Sequence, residues 1–307
     1  MLANSLLPPL KVVVLCLPWY ALSSLENVVN KLFLYRHPFP VTISVSHMIA
    51  HVFILYPSLR LVGVSPTLDI FNKKTLIYFI PLATLKLMVS IMSHASITLM
   101  SVSYANTIKT SMPLLTMALS RKILKEKHCF WELLSMICII IGVFLATVTE
   151  ISFNVDGLVC ILLAMLTSVG ESFVSKLALI NLRIDPLSML ICIHMIAFVM
   201  IQPLWLALET SLILKDMVNN EEFSTMYFIM MLTASGLVSL GQHMLKISLV
   251  ALMSPVNYSM ANSAKSVIVI VVSLLLLKNP VTLWNTVGTS LALFGLMMYQ
   301  KMKFKKD

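Results

Sequence analysis

Three lysines, Lys86, Lys109 and Lys265, interrupt long apolar runs. A lysine at the centre of a membrane-spanning helix costs about 2.5–3.5 kcal/mol on insertion scales, so one that persists there marks a functional site facing the protein interior. Lys109 stands about eight residues into its run and Lys265 about ten into its own, too deep to snorkel comfortably to either interface. Asn106 precedes Lys109 by the same spacing at which Asn262 precedes Lys265. Residues three and four apart share a helical face, so Asn106 lies beside Lys109, and Tyr258 and Asn262 beside Lys265. Lys86 and His94 also fall on one face. Two facing ammonium groups repel in a low dielectric unless an anion lies between them. The chemistry expected is therefore anion binding, with lysine as the point charge for phosphate and Asn and Tyr bonding to hydroxyls of a sugar or glycerol portion.

Other polar residues are assigned by the same weighing. Gln242 and His243 are expected to line the cavity, whereas Lys246, one turn on, is expected near the cytoplasmic exit. Glu26 and Glu171 are read as gate or structural residues. His47 and His51, four apart, lack further ligands around them and read as buried hydrogen-bonded histidines, not a metal site. Cys16, Cys129, Cys138, Cys160 and Cys192 show no CxxC spacing and read as small buried apolar residues. The sequon Asn257-Tyr258-Ser259 opens an apolar run, out of reach of glycosylation. With no Gly-rich phosphate loop, nucleophile elbow or paired catalytic carboxylates, the chain is expected to be a carrier and not an enzyme, with no cofactor.

The elements that position these residues must be membrane helices. Of 307 residues, 59% are hydrophobic and 11% charged, with a mean hydropathy of +0.93. A soluble domain carries about 25% charged residues, and less than half of that cannot coat a water-facing surface. Apolar runs fall at 11–30, 41–61, 76–99, 102–121, 131–149, 157–179, 187–208, 226–249, 255–277 and 281–299, each long enough to cross a bilayer. The expected fold is all-α integral membrane, ten helices in one membrane domain. A cytoplasmic N-terminus places Lys11, Arg60, Lys73, Lys74, Arg121, Lys122, Lys125, Lys127, Arg183 and the cluster from Lys301 to Lys306 in the cytoplasm. Both termini are then cytoplasmic. The opposite side receives Lys31, Arg36, Lys215 and Lys278, with Glu209, Asp216, Glu221 and Glu222 near Lys215. The net charge of +9 is thus explained by topology, and nucleic acid is not an expected partner. No Arg- and Ser-rich transit peptide precedes the first run, and the run lacks a cleavage site, so a retained helix and a non-plastid address are expected.

The two halves resemble each other. Glu26-Asn-Val-Val-Asn-Lys31 recurs as Glu171-Ser-Phe-Val-Ser-Lys176, and His47-Met-Ile-Ala50 as His194-Met-Ile-Ala197. Lys125, Trp131 and Gly142 recur at equal spacing as Lys278, Trp284 and Gly295, and the Asn-x-x-Lys pair occurs in the fourth helix of each half. An odd number of helices per copy inverts the second copy in the membrane. The expectation is two inverted five-helix repeats, 1–149 and 150–307, with the site near the midplane where they meet.

At this level the chain resembles the triose-phosphate and nucleotide-sugar transporters of the drug/metabolite transporter superfamily, most nearly the E subgroup of animal solute carriers. The resemblance rests on Trp19-Tyr20-Ala21-Leu22, Asn27-Val-Val-Asn-Lys31, Pro38-Phe39-Pro40-Val41-Thr42, Val102-Ser103-Tyr104-Ala105-Asn106-Thr107-Ile108-Lys109, Pro113, Lys125-Glu126-Lys127, Ala146-Thr147-Val148-Thr149-Glu150, and Ser254-Pro255 through Tyr258, Asn262 and Lys265 to Asn279-Pro280-Val281-Thr282. It implies a carrier exchanging phosphorylated metabolites, with Lys109 and Lys265 gripping phosphate. It also implies that Gln242 occupies a position where plastid members have a substrate-contacting tyrosine. Two departures stand out: Ser266 follows Lys265 where the family has arginine, and Asn106 replaces the usual histidine. Serine cannot offer the bidentate fork of arginine, which implies a less charged substrate or impaired transport.

The substrate-binding residues expected are Lys109, Lys265, Asn106, Asn262, Tyr258, Lys86, Tyr104, His94, Gln242 and Ser266. The function expected is antiport of phosphorylated or nucleotide-linked sugars or similar small organic anions. A transport-deficient scaffold or regulator is the alternative that Ser266 keeps open, and export of lipophilic drugs is disfavoured by two deep lysines. The ending Lys303-Phe304-Lys305-Lys306-Asp307 resembles a dilysine retrieval signal and suggests the endoplasmic reticulum and Golgi. Lipid and a small anionic solute are the expected partners.

Overall fold

A computed structural model of the chain describes residues 2–61, 73–123, 130–148, 153–219, 223–277 and 282–304. Every regular element among them is helical. In order these are α1 (Leu2–Arg36), α2 (Pro40–Ala50), a π-helical turn (His51–Leu55), α3 (Tyr56–Leu61), α4 (Lys73–Leu99), α5 (Val102–Lys109), α6 (Met112–Ile123), α7 (Phe130–Val148), α8 (Val155–Leu182), α9 (Pro186–Leu208), α10 (Thr210–Asn219), α11 (Thr225–Leu252), α12 (Pro255–Leu277) and α13 (Leu283–Phe304). Lys125, Lys127, Cys129, Glu221, Glu222, Lys278, Lys305 and Lys306 lie outside the described residues.

Among the described residues six helical stretches are long and apolar enough to cross a membrane: Val12–Arg36, Pro40–Ser58, Thr75–Leu99, Val155–Leu182, Pro186–Leu208 and Thr225–Leu252. Shorter apolar helices cover Leu134–Ala146 and Thr286–Tyr299. The chain is a multi-pass membrane protein, and its surface is built for lipid. Leu17, Phe144, Leu166, Val199 and Leu275 are exposed, while Ser23, Ser44, His51, Ser235 and Ser263 are buried. Polar groups turn inward because hydrocarbon offers them no partner.

The fourth expected span, 102–121, is not one continuous helix. It breaks at Thr110-Ser111 into α5 and α6. Pro113, at the second position of α6, has no N–H to continue the ladder. Thr110 Oγ1 donates to the Thr107 carbonyl at 2.6 Å and Ser111 Oγ to the Ile108 carbonyl at 2.7 Å, so hydroxyls satisfy backbone oxygens left at the break. Lys109 therefore occupies the C-terminal end of a half-helix. The π-helical turn likewise precedes Pro57, which cannot bond back to Phe53, and it starts at His51, whose Nδ1–H donates to the His47 carbonyl at 2.6 Å.

Helix α10 falls where the sequence suggested a polar connection. Glu209, at its start, is buried and not a loop charge: its carboxylate accepts from the backbone N–H of Val41 at 2.8 Å and of Thr42 at 2.7 Å. It caps the N-terminus of α2, whose first amides have no intrahelical partner and carry the positive end of the helix dipole. Lys31 and Lys176 do the opposite job. Lys31 Nζ donates to the carbonyls of Ile97 and Met100 at the end of α4, at 2.6 and 3.0 Å. Lys176 Nζ donates to those of Val250 and Ala251 at the end of α11, at 3.2 and 2.7 Å.

Helix α4 packs on α8 and α9, α1 on α11 and α12, α5 on α12, and α7 on α13. The last pair is in backbone contact through small residues. A Cβ on Gly288 would lie 2.5 Å from the Ala146 nitrogen, and one on Gly295 2.8 Å from the Ser135 carbonyl oxygen. Gly142 meets the backbone of Ala292 and Gly288 in the same seam.

Candidate functional site

Helices from both halves of the chain converge on a cavity of about 130 Å³. Its walls come from α1, α2, α4, α5, α6, α8, α11 and α12. Of the ten expected site residues, eight line it: Lys86, His94, Asn106, Lys109, Gln242, Tyr258, Asn262 and Lys265. Residues whose helices are far apart in sequence are thus brought to one volume, as the face-sharing argument required.

Two expected residues stay outside it. Tyr104 is 1% exposed and packs in the apolar cluster with Phe33, Ile43 and Val102. On helix α5, the turn that points Lys109 and Asn106 into the cavity directs Tyr104 elsewhere. Ser266 is fully buried and donates to the carbonyl of Asn262 in its own helix at 3.2 Å. One residue past Lys265 is about 100° around a helix, so Ser266 faces away from the cavity that Lys265 enters.

Lys246 also departs from expectation. It lines the cavity and its Nζ donates to both carboxylate oxygens of Glu171 at 2.8 Å. The pair touches a small adjoining pocket that includes His194 and His243. Lys86 bonds to the Nε2 of His243, whose Nδ1–H donates to the Ser239 carbonyl at 2.8 Å. His243 is thereby fixed as a neutral acceptor toward the ammonium.

The cavity cations have tuned surroundings. Lys265 Nζ lies 4.8 Å from the ring centre of Trp19, which is fully buried and 5.7 Å from the Tyr258 ring. An aromatic face holds a cation without neutralising it. Asn262 Nδ2 bonds to the Met112 sulfur at 3.0 Å, and Asn106 Nδ2 donates to the Val102 carbonyl at 2.9 Å. Gln242 Oε1 is buried and finds no hydrogen-bond donor among the described residues, so it presents an acceptor for a ligand hydroxyl.

His94 has both ring nitrogens engaged. Asn30 accepts from Ser235 through Oδ1 at 2.5 Å, so its Nδ2 is the end that donates to His94 Nε2 at 3.3 Å. His94 Nδ1–H is left to donate to Ser44 Oγ at 3.0 Å. Ser235 also accepts from His47 Nε2–H at 2.8 Å, and His47 Nδ1 lies 3.8 Å from Glu26. This chain orders one wall across α1, α2, α4 and α11. His47 and His51 are buried and hydrogen-bonded, and His51 stacks on His194 with centroids 4.0 Å apart. Among the described residues no group of three His, Cys, Asp or Glu side chains is placed to hold a metal ion.

Sequence reasoning missed Trp19 as a partner of Lys265, and Asn30 and Ser235 as the link between His47 and His94. Trp19 stood in a quoted motif. Asn30 stood in another, but its partner Ser235 is 205 residues away and no local pattern pairs the two.

In their ordinary charged forms, the four cavity lysines exceed Glu26 and Glu171 by two positive charges. A family model described as the Triose-phosphate Transporter family matches residues 10–300. The chain belongs to that family. Its relatives include phosphoenolpyruvate/phosphate translocator 2 of Arabidopsis thaliana, 26% identical over 93% of this chain and 75% of that protein. The triose phosphate/phosphate translocator of Spinacia oleracea is 26% identical over 94% of this chain and 71% of its own length. Both are named as chloroplastic translocators. A solved crystal structure, 11% identical, superposes with a TM-score of 0.61 over 96% of this chain and 98% of that one, a likeness of fold alone.

Proposed function

We propose that this family member is an antiporter of small phosphorylated organic anions working by alternating access. The observation that carries the reading is the cavity walled by both halves of the chain, with four lysines exceeding two carboxylates. A phosphate monoester at neutral pH carries about that balancing charge. Lys109 and Lys265 grip the phosphate, Lys86 adds to the field, and Asn106, Asn262, Tyr258 and Gln242 receive the remainder of the solute. The excess charge disfavours closure of the empty carrier, so exchange is obligatory.

Two inverted five-helix repeats, 1–149 and 150–307, supply the architecture in this reading. Support comes from the repeated motifs: Lys31 and Lys176 each cap the helix third in its own half, and Gly142 and Gly295 lie in one seam. Phosphate and triose phosphates, whose charge is close to that excess, are favoured over nucleotide-linked sugars, because the relatives are named for small phosphorylated compounds. In this reading both termini lie in the cytoplasm, on the side that receives the excess of Lys and Arg. The scaffold alternative rested on Ser266. Lys86 and Lys109 share the cavity with Lys265, so the serine does not leave Lys265 as its sole cation.

The test is reconstitution in liposomes with labelled phosphate, triose phosphates and nucleotide sugars, with and without internal counter-substrate. Uptake should require counter-substrate and fall about 10- to 100-fold in Lys109→Ala or Lys265→Ala, the loss of one hydrogen bond to a charged group. Equal uptake into empty vesicles would remove obligatory exchange, and unchanged uptake in both variants would remove the site.

A further inference from the structure

Glu26 and Glu171 begin the same repeated motif yet have unlike surroundings. Glu171 is held by Lys246 through both oxygens at 2.8 Å. Glu26 lines the cavity, is 7% exposed, and has no lysine within ion-pairing distance among the described residues; its ionic neighbour is His47 Nδ1 at 3.8 Å. Lys86, Lys109 and Lys265 line the same cavity. A carboxylate so placed opposes entry of an anion, which is the reverse of what a site built only for maximal affinity would carry.

We infer that Glu26 is a specificity-determining residue, a built-in counter-ion that sets the charge of the anion the cavity accepts. Its negative charge lowers the excess among Glu26, Lys86, Lys109 and Lys265 from three to two, because Lys246 and Glu171 neutralise each other. A dianion then closes the balance. A trianion brings a surplus charge against Glu26 itself, at a wall where Glu26 and Lys86 are buried and water screens their charge less than it would at the surface. The neighbouring wall holds the carboxylate in place, since His47 is fixed through Ser235 and Asn30. Glu26 thus discriminates by repulsion while the lysines bind by attraction. The inference rests on the anion-carrier reading above and adds to it the charge class of the cargo.

The probes are sulfonates and sulfate, whose charges are constant across neutral pH: methanesulfonate as monoanion, sulfate as dianion and sulfosuccinate as trianion. Purified full-length protein in detergent is titrated with each, reading thermal stabilisation and calorimetric affinity. Wild type should rank sulfate above sulfosuccinate. Glu26→Gln should raise the affinity for sulfosuccinate relative to sulfate by roughly tenfold or more, and Glu26→Asp should restore the wild-type ranking. Glu26→Ser is made in parallel, so that the result does not depend on one variant folding. Anion binding with the same ranking in wild type, Glu26→Gln and Glu26→Ser overturns the role of Glu26 while leaving the carrier reading intact. No response to any anion, together with no labelled phosphate uptake in liposomes, overturns both.

Discussion

Lys265 reaches the cavity with Trp19 beneath it and Tyr258 alongside, so its position is set by an aromatic face and not by a carboxylate. A cation–π contact desolvated to this degree contributes about 2 kcal/mol. Replacing Trp19 with Leu should therefore weaken phosphate binding by roughly tenfold, with Trp19→Phe keeping part of the affinity, as read by calorimetric titration. An unchanged affinity in Trp19→Leu would show that the lysine is positioned by its helix alone. Most of the cavity residues were legible from spacing, because a shared helical face is a local property: Lys109 with Asn106, and Lys265 with Asn262 and Tyr258. Lys246 was not. It lies near the end of the apolar run at 226–249, where an exit position was expected, and its partner Glu171 is 75 residues away.

At the scale of elements, the recurring motif from Glu26 to Lys31 and from Glu171 to Lys176 acquires a mechanical meaning. Each lysine donates to the last carbonyls of a neighbouring helix, satisfying acceptors that no intrahelical amide can reach. Lys31→Met and Lys176→Met should each lower stability by about 1–3 kcal/mol, whereas Arg at either position should retain part of the cap. Thermal unfolding in detergent reads this directly, and a loss confined to one of the two would argue against their equivalence. The break between α5 and α6 was hidden by hydropathy, since an apolar run has the same mean whether or not its helix is continuous. Pro113 was its only local sign, and the hydroxyl bonds of Thr110 and Ser111 that stabilise the break are conformations, not composition.

Across the whole molecule, the two halves of the chain meet around His37. Its ring is 1% exposed, packed against Phe33, Phe39, Phe223 and Phe228, with Asp216 at 3.7 Å. Burial holds the imidazole below its ordinary value of 6.5, and Asp216 offsets part of that effect. The unfolded chain then binds the proton more readily, so the contribution of His37 to stability is complete above about pH 6.5 and is lost as pH falls below it. Wild-type thermal stability should decline from pH 7 to pH 5, and His37→Asn should flatten that decline; parallel slopes would place the pH sensitivity elsewhere. The contact joins the ends of α1 and α2 to α10 and α11, and nothing in the separate segments announces it.

The sequence alone determined that the chain crosses the membrane several times, that its halves share motifs, and that Lys86, Lys109 and Lys265 lie where charge is costly. Those are matters of composition and helical periodicity, which any short window expresses. Only the tertiary structure decided which cations face one space and what neutralises them. Ser266 turned out to face its own helix, Lys246 to be bound by Glu171, and Glu26 to stand unmatched by any lysine in the cavity wall. Charge balance in a shared cavity is a sum over residues remote in sequence, and its value exists only once the helices have packed.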